Sequence, residues 1–159
     1  LEAASLIPAH LGSRTLLLVG SSTHAFGSYE RTAKSHGLTG RVLCPGRLPQ
    51  KDLQLLYPYA DLFIFPSLYE GFGMPVLEAM ACGAPVITSK TTALGEVAGD
   101  AARLVDPHDA RAVADAMSEV LENASLRASL TSKGFGRVKQ YGWSQAALQT
   151  CELYASLLP

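Results

Sequence analysis

The sequence has little charge and no excess of either sign. Of its 159 residues, 17% are charged, and the 13 basic and 14 acidic side chains leave a formal net charge of −1. A protein that attracts a polyanion over long distances carries a large basic excess. The composition therefore argues against nucleic acid as a partner. A hydrophobic content of 48% predicts one folded domain with a sizeable core.

The sequence also lacks a long apolar run and has few cysteines. No stretch approaches the roughly 20 residues that a membrane helix needs, and no basic segment followed by an apolar one precedes the first strand. Cys44, Cys82 and Cys151 are far apart and lie among apolar residues, so we expect buried thiols and no disulfide framework. These features favour a cytoplasmic protein.

No metal-binding motif is present in the sequence. There is no Asp-x-Asp pair, whose carboxylates would hold a divalent ion on a phosphate group, and the four histidines match no ligand spacing. We therefore expect neither a metal nor another cofactor.

Short apolar runs alternate with helical segments along the chain. The runs are mostly unbroken, which is typical of parallel strands covered on both faces. They predict strands over residues 15–20, 41–46, 61–67, 85–89 and 102–105. Helices are predicted over residues 26–36, 50–57, 75–82, 126–141 and 144–158, with a short turn near Glu96 and a further helix capped by Asp106 and opened by Pro107. This order predicts a doubly wound α/β fold that binds ligands at the carboxyl ends of its strands.

Glu70 and Glu78 flank a glycine pair and a predicted helix start, directly after the strand at residues 61–67. Pro75 suits the first helical position, where its missing N–H would have no partner in any case, and Gly83 suits the residue that ends the helix. A helix N-terminus offers N–H groups and positive partial charge to a phosphate. Carboxylates accept hydrogen bonds from vicinal hydroxyls. The segment therefore predicts a nucleotide-sugar site.

Each residue of this segment also has an ordinary structural explanation. A glutamate near a helix start is commonly a partner of the helix dipole, and Glu70 alone fits a solvated loop. Gly71 and Gly73 fit turn positions of positive φ, while Phe72 and Met74 fit the rim of a core. Their combination in one strand–loop–helix unit is what favours the functional interpretation.

Five motifs in a fixed order extend this pattern. They are Ala60-Asp61-Leu62-Phe63-Ile64-Phe65-Pro66-Ser67, Glu70-Gly71-Phe72-Gly73, Glu78-Ala79-Met80-Ala81-Cys82-Gly83, Pro85-Val86-Ile87 and Leu104-Val105-Asp106-Pro107. They resemble the donor half of retaining glycosyltransferases of the GT-B fold, which have two facing Rossmann-like domains, and in particular the group 1 family that includes mannosyltransferases. Weaker matches run through residues 16–46 and 141–143, so the resemblance covers nearly the whole chain. It implies a doubly wound parallel sheet, one Rossmann-like half of a GT-B fold, over residues 1–159.

The resemblance also implies roles for individual residues. Glu78 would bind the ribose of a donor such as GDP-mannose or a UDP-sugar, and Glu70, the catalytic candidate, would contact its hexose. The implied donor-binding residues, several of them acting through backbone N–H groups, are Ser67, Gly71, Phe72, Gly73, Met74, Val76, Leu77, Arg47 and Leu48. Without a metal, a helix terminus and basic side chains must stabilise the charge of the leaving nucleotide. The basic candidates, both at predicted strand ends, are Arg47 and Lys90.

Two parts of the resembled family have no counterpart in the sequence. One is a first strand followed by an Arg and Lys pair, whose usual place is between the strands at residues 15–20 and 61–67. The other is the acceptor domain. We therefore expect the C-terminal half of a longer enzyme, with an N-terminal acceptor domain as its partner. Peripheral association with the inner face of a membrane through that domain stays open.

Three functions remain open from the sequence. The first is the donor-binding domain of a retaining hexosyltransferase that is active in its full-length form and inactive as this fragment. The second is a non-catalytic nucleotide-sugar-binding or regulatory module. The third is a doubly wound binding domain of another kind, in which the acidic pair is accidental.

Overall fold

The structure, a computed structural model, describes residues 1–20 and 26–157, and five strands alternate with eight α-helices in these ranges. The strands are β1 (Leu16–Val19), β2 (Val42–Gly46), β3 (Phe63–Phe65), β4 (Val86–Ser89) and β5 (Arg103–Val105). The helices are α1 (Glu2–Leu6), α2 (Phe26–Ser35), α3 (Gln50–Leu56), α4 (Met74–Ala81), α5 (Thr92–Ala98), α6 (Ala110–Glu122), α7 (Ala124–Val138) and α8 (Trp143–Leu157). Ser21 and Ser22, where the resembled family often has Gly-x-Gly, and the predicted helix end at Leu158 lie outside the described residues.

The strands pair in parallel, and over the described ranges they form two sheets. β1 pairs with β2, while β4 lies between β3 and β5. Parallel strands joined through helices confirm the predicted α/β class. Over the described residues, no strand of one sheet pairs with a strand of the other.

The central strand β4 is buried along its whole length because helices cover both of its faces. One core cluster lies on the side of α4 and α5, and its fully buried members include Val76, Met80, Val86 and Leu94. A second cluster lies on the side of α6 and includes Ile87, Val113, Met117 and Val120. Apolar residues of β1 and β2 pack against this second cluster, so both sheets share it.

The start of α6 differs from the prediction. Asp109, and not Asp106, caps the helix, because its Oδ1 accepts a hydrogen bond from the Ala112 N–H at 2.9 Å. Asp106 instead accepts the His108 N–H at 3.0 Å and closes a turn that contains Pro107. Asp106 and Asp109 are both suitable N-cap residues, and Asp109 is the one that caps α6.

Other boundaries differ by a few residues. α4 begins at Met74, so Pro75 is its second residue, and α7 begins two residues earlier than predicted because the Asn123 side chain caps it at the Leu126 N–H. The segment around Glu96 is a full helix rather than a turn, and the predicted strand over residues 61–67 shortens to β3.

The prediction of three buried thiols is wrong. Cys151 is exposed on α8, while Cys44 and Cys82 are half-buried. In the described part of the chain, no helix combines the length and the apolar character needed to cross a membrane.

Candidate functional site

The loop from β3 to α4 is fixed where it leaves the carboxyl edge of its sheet. Two hydroxyls at the end of β4 donate to backbone carbonyls there: Thr88 Oγ1 to Phe65 O at 2.8 Å, and Ser89 Oγ to Ser67 O at 2.6 Å. Both hydroxyl side chains are fully buried. A buried hydroxyl needs its partner, since an unsatisfied polar group costs free energy in the interior. The path of the chain into the loop is therefore defined.

Gly73 sets the other end of the loop. It precedes α4 with φ at 111°, a backbone conformation that side chains rarely adopt, and a Cβ there would lie 2.5 Å from Leu94 Cδ2. Gly71 has neither constraint, because its φ lies outside the left-handed range and nothing lies within 4 Å of where its Cβ would be. A glycine with open space around it allows a ligand to approach the backbone closely.

The two candidate carboxylates lie on this unit. Glu70 is half-buried within the loop, and Glu78 is the fifth residue of α4, hence one residue beyond the first turn that the sequence suggested. The Glu78 carboxylate lies near the hydroxyl of Tyr57, and its negative charge acts on that hydroxyl. Tyr57 is itself buried, and its ring packs edge-on against Phe63 with the centroids 5.3 Å apart.

The environment of Tyr57 keeps its hydroxyl protonated. Burial, and then the negative charge of Glu78, raise the pKa of Tyr57 to about 12. The hydroxyl therefore remains protonated, and able to donate a hydrogen bond, at any ordinary pH.

The remaining donor-binding candidates divide by exposure. Phe72 and Met74 expose 41% and 44% of their surface beside the loop, whereas the side chains of Val76 and Leu77 are buried in the core. Only the backbone of the latter two residues could face a ligand, and the Val76 N–H already donates to Gly73 O at 3.0 Å. The start of α4 is therefore amphipathic, with Met74 exposed and with Val76 and Leu77 facing the core.

The polar atoms of Ser67 are both engaged. Its hydroxyl donates to Tyr69 O at 3.2 Å, and its carbonyl accepts the bond from Ser89. In this conformation the Ser67 side chain shapes the turn before Glu70, and a donor contact would require its hydroxyl to rotate.

The two predicted cations differ in their surroundings. Lys90 Nζ lies 3.2 Å from Asp106 Oδ2, and the His108 N–H together with this ammonium lowers the pKa of the Asp106 carboxyl. Arg47 is exposed directly after β2, on the carboxyl edge of the other sheet, and Leu48 beside it is half-buried. Among the described residues Arg47 forms no ion pair, so it is the cation with its charge available to an anion. Over the same residues, no group of three His, Cys, Asp or Glu side chains could hold a metal ion.

Sequence reasoning missed several residues that shape the site. They are Tyr57, Thr88, Ser89 and Leu94. Thr88 and Ser89 could have been found from the sequence, because two hydroxyl residues at the end of an apolar strand indicate polar contacts at the carboxyl edge of the sheet. Tyr57 and Leu94 could not, because their contacts cross between elements that are distant in the chain.

The fold is Rossmann-like, and comparison with known proteins gives the family. Residues 1–137 match the glycosyl transferases group 1 family, and the chain belongs to it. The family and the GT-B half predicted from the sequence are thereby confirmed.

Two curated relatives are mannosyltransferases of Escherichia coli. The chain is 43% identical over 112 residues to O-antigen chain mannosyltransferase B, an alignment covering 70% of this chain and 29% of that protein. It is 33% identical over 161 aligned residues to the serotype-specific mannosyltransferase WbdA, covering 99% of this chain and 20% of that protein. The chain thus spans about a fifth to a third of the length of these relatives.

Solved structures share the fold closely. Sucrose-phosphate synthase from Thermosynechococcus elongatus has a TM-score of 0.81 at 32% identity, covering 98% of this chain and 42% of that one. HepE of Anabaena in complex with UDP has a TM-score of 0.85 at 24% identity, covering 98% of this chain and 44% of that one. At this lower identity the likeness concerns the fold alone.

Proposed function

We propose that this chain is the donor-binding domain of a hexosyltransferase. The full-length enzyme would move a hexose, with mannose favoured, from a nucleoside diphosphate to an acceptor hydroxyl, with retention of configuration. The observation that carries the proposal is the acidic pair Glu70 and Glu78 around a conformationally fixed glycine loop, in a group 1 glycosyl transferase. The two mannosyltransferase relatives support mannose, and the UDP complex of the structural neighbour supports a nucleoside diphosphate.

In this proposal each carboxylate accepts hydrogen bonds from a different part of the donor. Glu78, near the protonated hydroxyl of Tyr57, receives the ribose hydroxyls, and Glu70 receives hydroxyls of the hexose. The open space beside Gly71 admits the sugar, and the exposed faces of Phe72 and Met74 pack against it. The donor would be GDP-mannose or a UDP-sugar.

The start of α4 supplies fewer N–H groups to the diphosphate than a helix terminus usually does. Pro75 has no N–H, and the Val76 N–H is occupied by Gly73 O. The helix dipole still favours an anion there, but basic side chains must carry more of the charge. Arg47 is the candidate within this chain, and further cations would come from residues outside it.

The proposal includes partners and a location. An N-terminal acceptor domain would complete the active site at the carboxyl edge of the sheets and bring the acceptor hydroxyl to the donor. The enzyme would work in the cytoplasm, at the inner face of the membrane if its acceptor is bound there.

Titration with nucleotides tests the proposal directly. We expect the 159-residue chain to bind GDP or UDP weakly, with a Kd of about 1 mM, and to transfer no sugar, because this proposal assigns the acceptor surface and part of the charge neutralisation to other residues of the full-length enzyme. Isothermal titration with both nucleotides and their sugars gives the affinities, and the Glu78→Gln variant is the control for site-specific binding. Turnover by the isolated chain would contradict the expectation, and the absence of any binding would favour a domain of another kind.

Metal removal and product stereochemistry form a second prediction. We expect the full-length enzyme to keep its activity in excess EDTA, because a helix terminus and basic side chains stabilise the leaving diphosphate in this proposal. We also expect the product to keep the donor's anomeric configuration, which follows from the family resemblance. Loss of activity that Mg²⁺ restores would refute the first half, and an inverted anomeric centre read by NMR would refute the second.

A further inference from the structure

An aromatic contact joins the candidate donor loop to the segment that follows α7, which is distant from the loop in sequence. The ring of Phe72 meets the ring of Tyr141 edge-to-face, with the centroids 5.7 Å apart and the planes at 77°. Tyr141 ends the short turn Lys139–Tyr141 that follows α7. Phe72 otherwise keeps 41% of its surface exposed, so this ring pair is a main attachment of the loop between Glu70 and Gly73.

Tyr141 is held in turn by Arg137. The guanidinium carbon lies 5.2 Å from the centroid of the Tyr141 ring, and Arg137 Nη2 donates to the Tyr141 hydroxyl at 2.9 Å. Arg137 Nε also donates to Val97 O at 2.9 Å, and Nη2 donates to Glu96 O. The guanidinium is therefore fixed at the C-terminal end of α5, where carbonyl groups and the helix dipole favour a cation.

The same helix also fixes the other end of the loop. Leu94 of α5 fills the space beside Gly73, so close that a Cβ on Gly73 would meet it. Gly71, which has open space around it, directly precedes these two attachments. α5 thus restrains the loop at two places. Leu94 packs beside Gly73, and the C-terminal end of α5 holds Arg137, which contacts Tyr141.

We propose that Tyr141 is a positioning residue, which holds the loop at Glu70–Gly73 in its donor-binding conformation through the ring of Phe72. This inference rests on the proposed function, because the loop is assigned there to the hexose and diphosphate. In this proposal Tyr141 acts through Phe72 and makes no contact with the donor. It reduces the number of loop conformations, and a protein whose binding-competent state is more populated binds more tightly.

Removal of the Tyr141 ring should loosen the loop and weaken donor binding. For Tyr141→Leu we expect faster amide hydrogen exchange in a peptide spanning residues 68–77. We also expect the Kd for the nucleotide sugar to rise roughly 2- to 10-fold, the range that one aromatic pair corresponds to. The Kd for the free nucleoside monophosphate should change less than about 2-fold, since the loop is assigned to the sugar and diphosphate.

Two variants of the same 159-residue chain serve as controls. Tyr141→Phe keeps the ring contact and loses only the hydroxyl bond to Arg137, so loop exchange and affinity should stay near the wild-type values. Tyr154→Leu makes the same chemical change at an exposed tyrosine on α8 and should alter neither. If Tyr141 had a purely structural role, Tyr141→Leu would lower the melting temperature and would change the Kd values for the nucleotide sugar and for the nucleoside monophosphate by similar factors.

Phe72→Leu covers the case in which Tyr141→Leu folds poorly, and the double variant tests whether both substitutions act through the ring pair. Phe72→Leu removes the same ring pair from the loop side, and exchange in the double variant should be no faster than in either single variant if the pair is the cause. Unchanged loop exchange in Tyr141→Leu would overturn the inference, as would Tyr141→Phe behaving like Tyr141→Leu. Faster exchange without the affinity change would overturn the role in donor binding. A wild-type chain that binds no nucleotide sugar would refute the proposed function, and the exchange data would still decide whether Tyr141 holds the loop.

Discussion

Gly73→Ala is expected to lower the free energy of unfolding by about 2–4 kcal/mol. Two costs combine at this position. The backbone φ of 111° strains any residue with a Cβ, and that Cβ would lie 2.5 Å from the Cδ2 of Leu94. Leu94 is fully buried, so its side chain has no free volume into which it could move. We expect donor binding to be lost as well, because relief of the clash must displace the loop or α5.

Gly71→Ala provides the matched control in the same loop. Its φ is not left-handed and a methyl group there would meet nothing within 4 Å, so the unfolding free energy should change by less than about 0.5 kcal/mol. Urea denaturation of the wild type and both variants measures the difference. Equal destabilisation by both substitutions, or an unaffected Gly73→Ala, would show that the backbone at Gly73 is not constrained as described.

Much of the fold could be predicted because the signals are local. Unbroken apolar runs indicated all five strands, and Gly83 indicated the end of α4, where it adopts a φ of 82°. The loop with Glu70 and the helix with Glu78 followed from glycine, proline and helix-terminus chemistry over a few consecutive residues. Such signals depend on the backbone preferences of the residues themselves.

Other features depend on competition or on distant contacts. Asp106 and Asp109 both fit a helix cap, and only the geometry of the intervening turn decides between them. The pairing of Lys90 with Asp106 depends on β4 and β5 ending side by side, which brings the two charges within 3.2 Å. Local sequence could assign a cation to the site, but it could not show that this cation is already engaged.

The interior of the site is the least predictable part for the same reason. The approach of Tyr57 to Glu78 and the ring contact of Phe72 with Tyr141 each join segments that local patterns treat separately. In the proposals above these contacts influence one carboxylate and hold one loop, yet neither carries a sequence motif of its own.

Replacement of the two glutamates is expected to separate nucleotide binding from turnover in the full-length enzyme. Glu78→Ala should raise the Kd for the nucleoside diphosphate, because the lost carboxylate is the proposed acceptor for the ribose hydroxyls. Glu70→Ala should mainly lower kcat, because its proposed partner is the hexose, whose charge changes in the transition state. Each lost hydrogen bond to a charged group corresponds to about 1.5–3 kcal/mol, or roughly 10- to 150-fold.

The contact with Tyr57 decides how the Glu78 variants are designed. Alanine at position 78 removes the polar side chain near the buried Tyr57, which can destabilise the domain by itself. Glu78→Gln keeps a polar side chain of the same size near Tyr57 and removes only the charge, so it should weaken nucleotide binding while the melting temperature stays near that of the wild type. Glu119→Ala, on an exposed face of α6, controls for the loss of a surface carboxylate.

Calorimetric titration with the nucleoside diphosphate and steady-state kinetics with the nucleotide sugar give the two quantities for each variant. We expect Glu78→Gln to change the Kd far more than Glu70→Ala does, and Glu70→Ala to change kcat with the nucleotide Kd within about 3-fold. Small and equal effects of both substitutions on affinity and rate would remove the assignment of the pair to the donor. If Glu70 and not Glu78 governed nucleotide affinity, the donor would bind in the reverse orientation along the loop and α4, with its nucleotide near Glu70 and its hexose near Glu78.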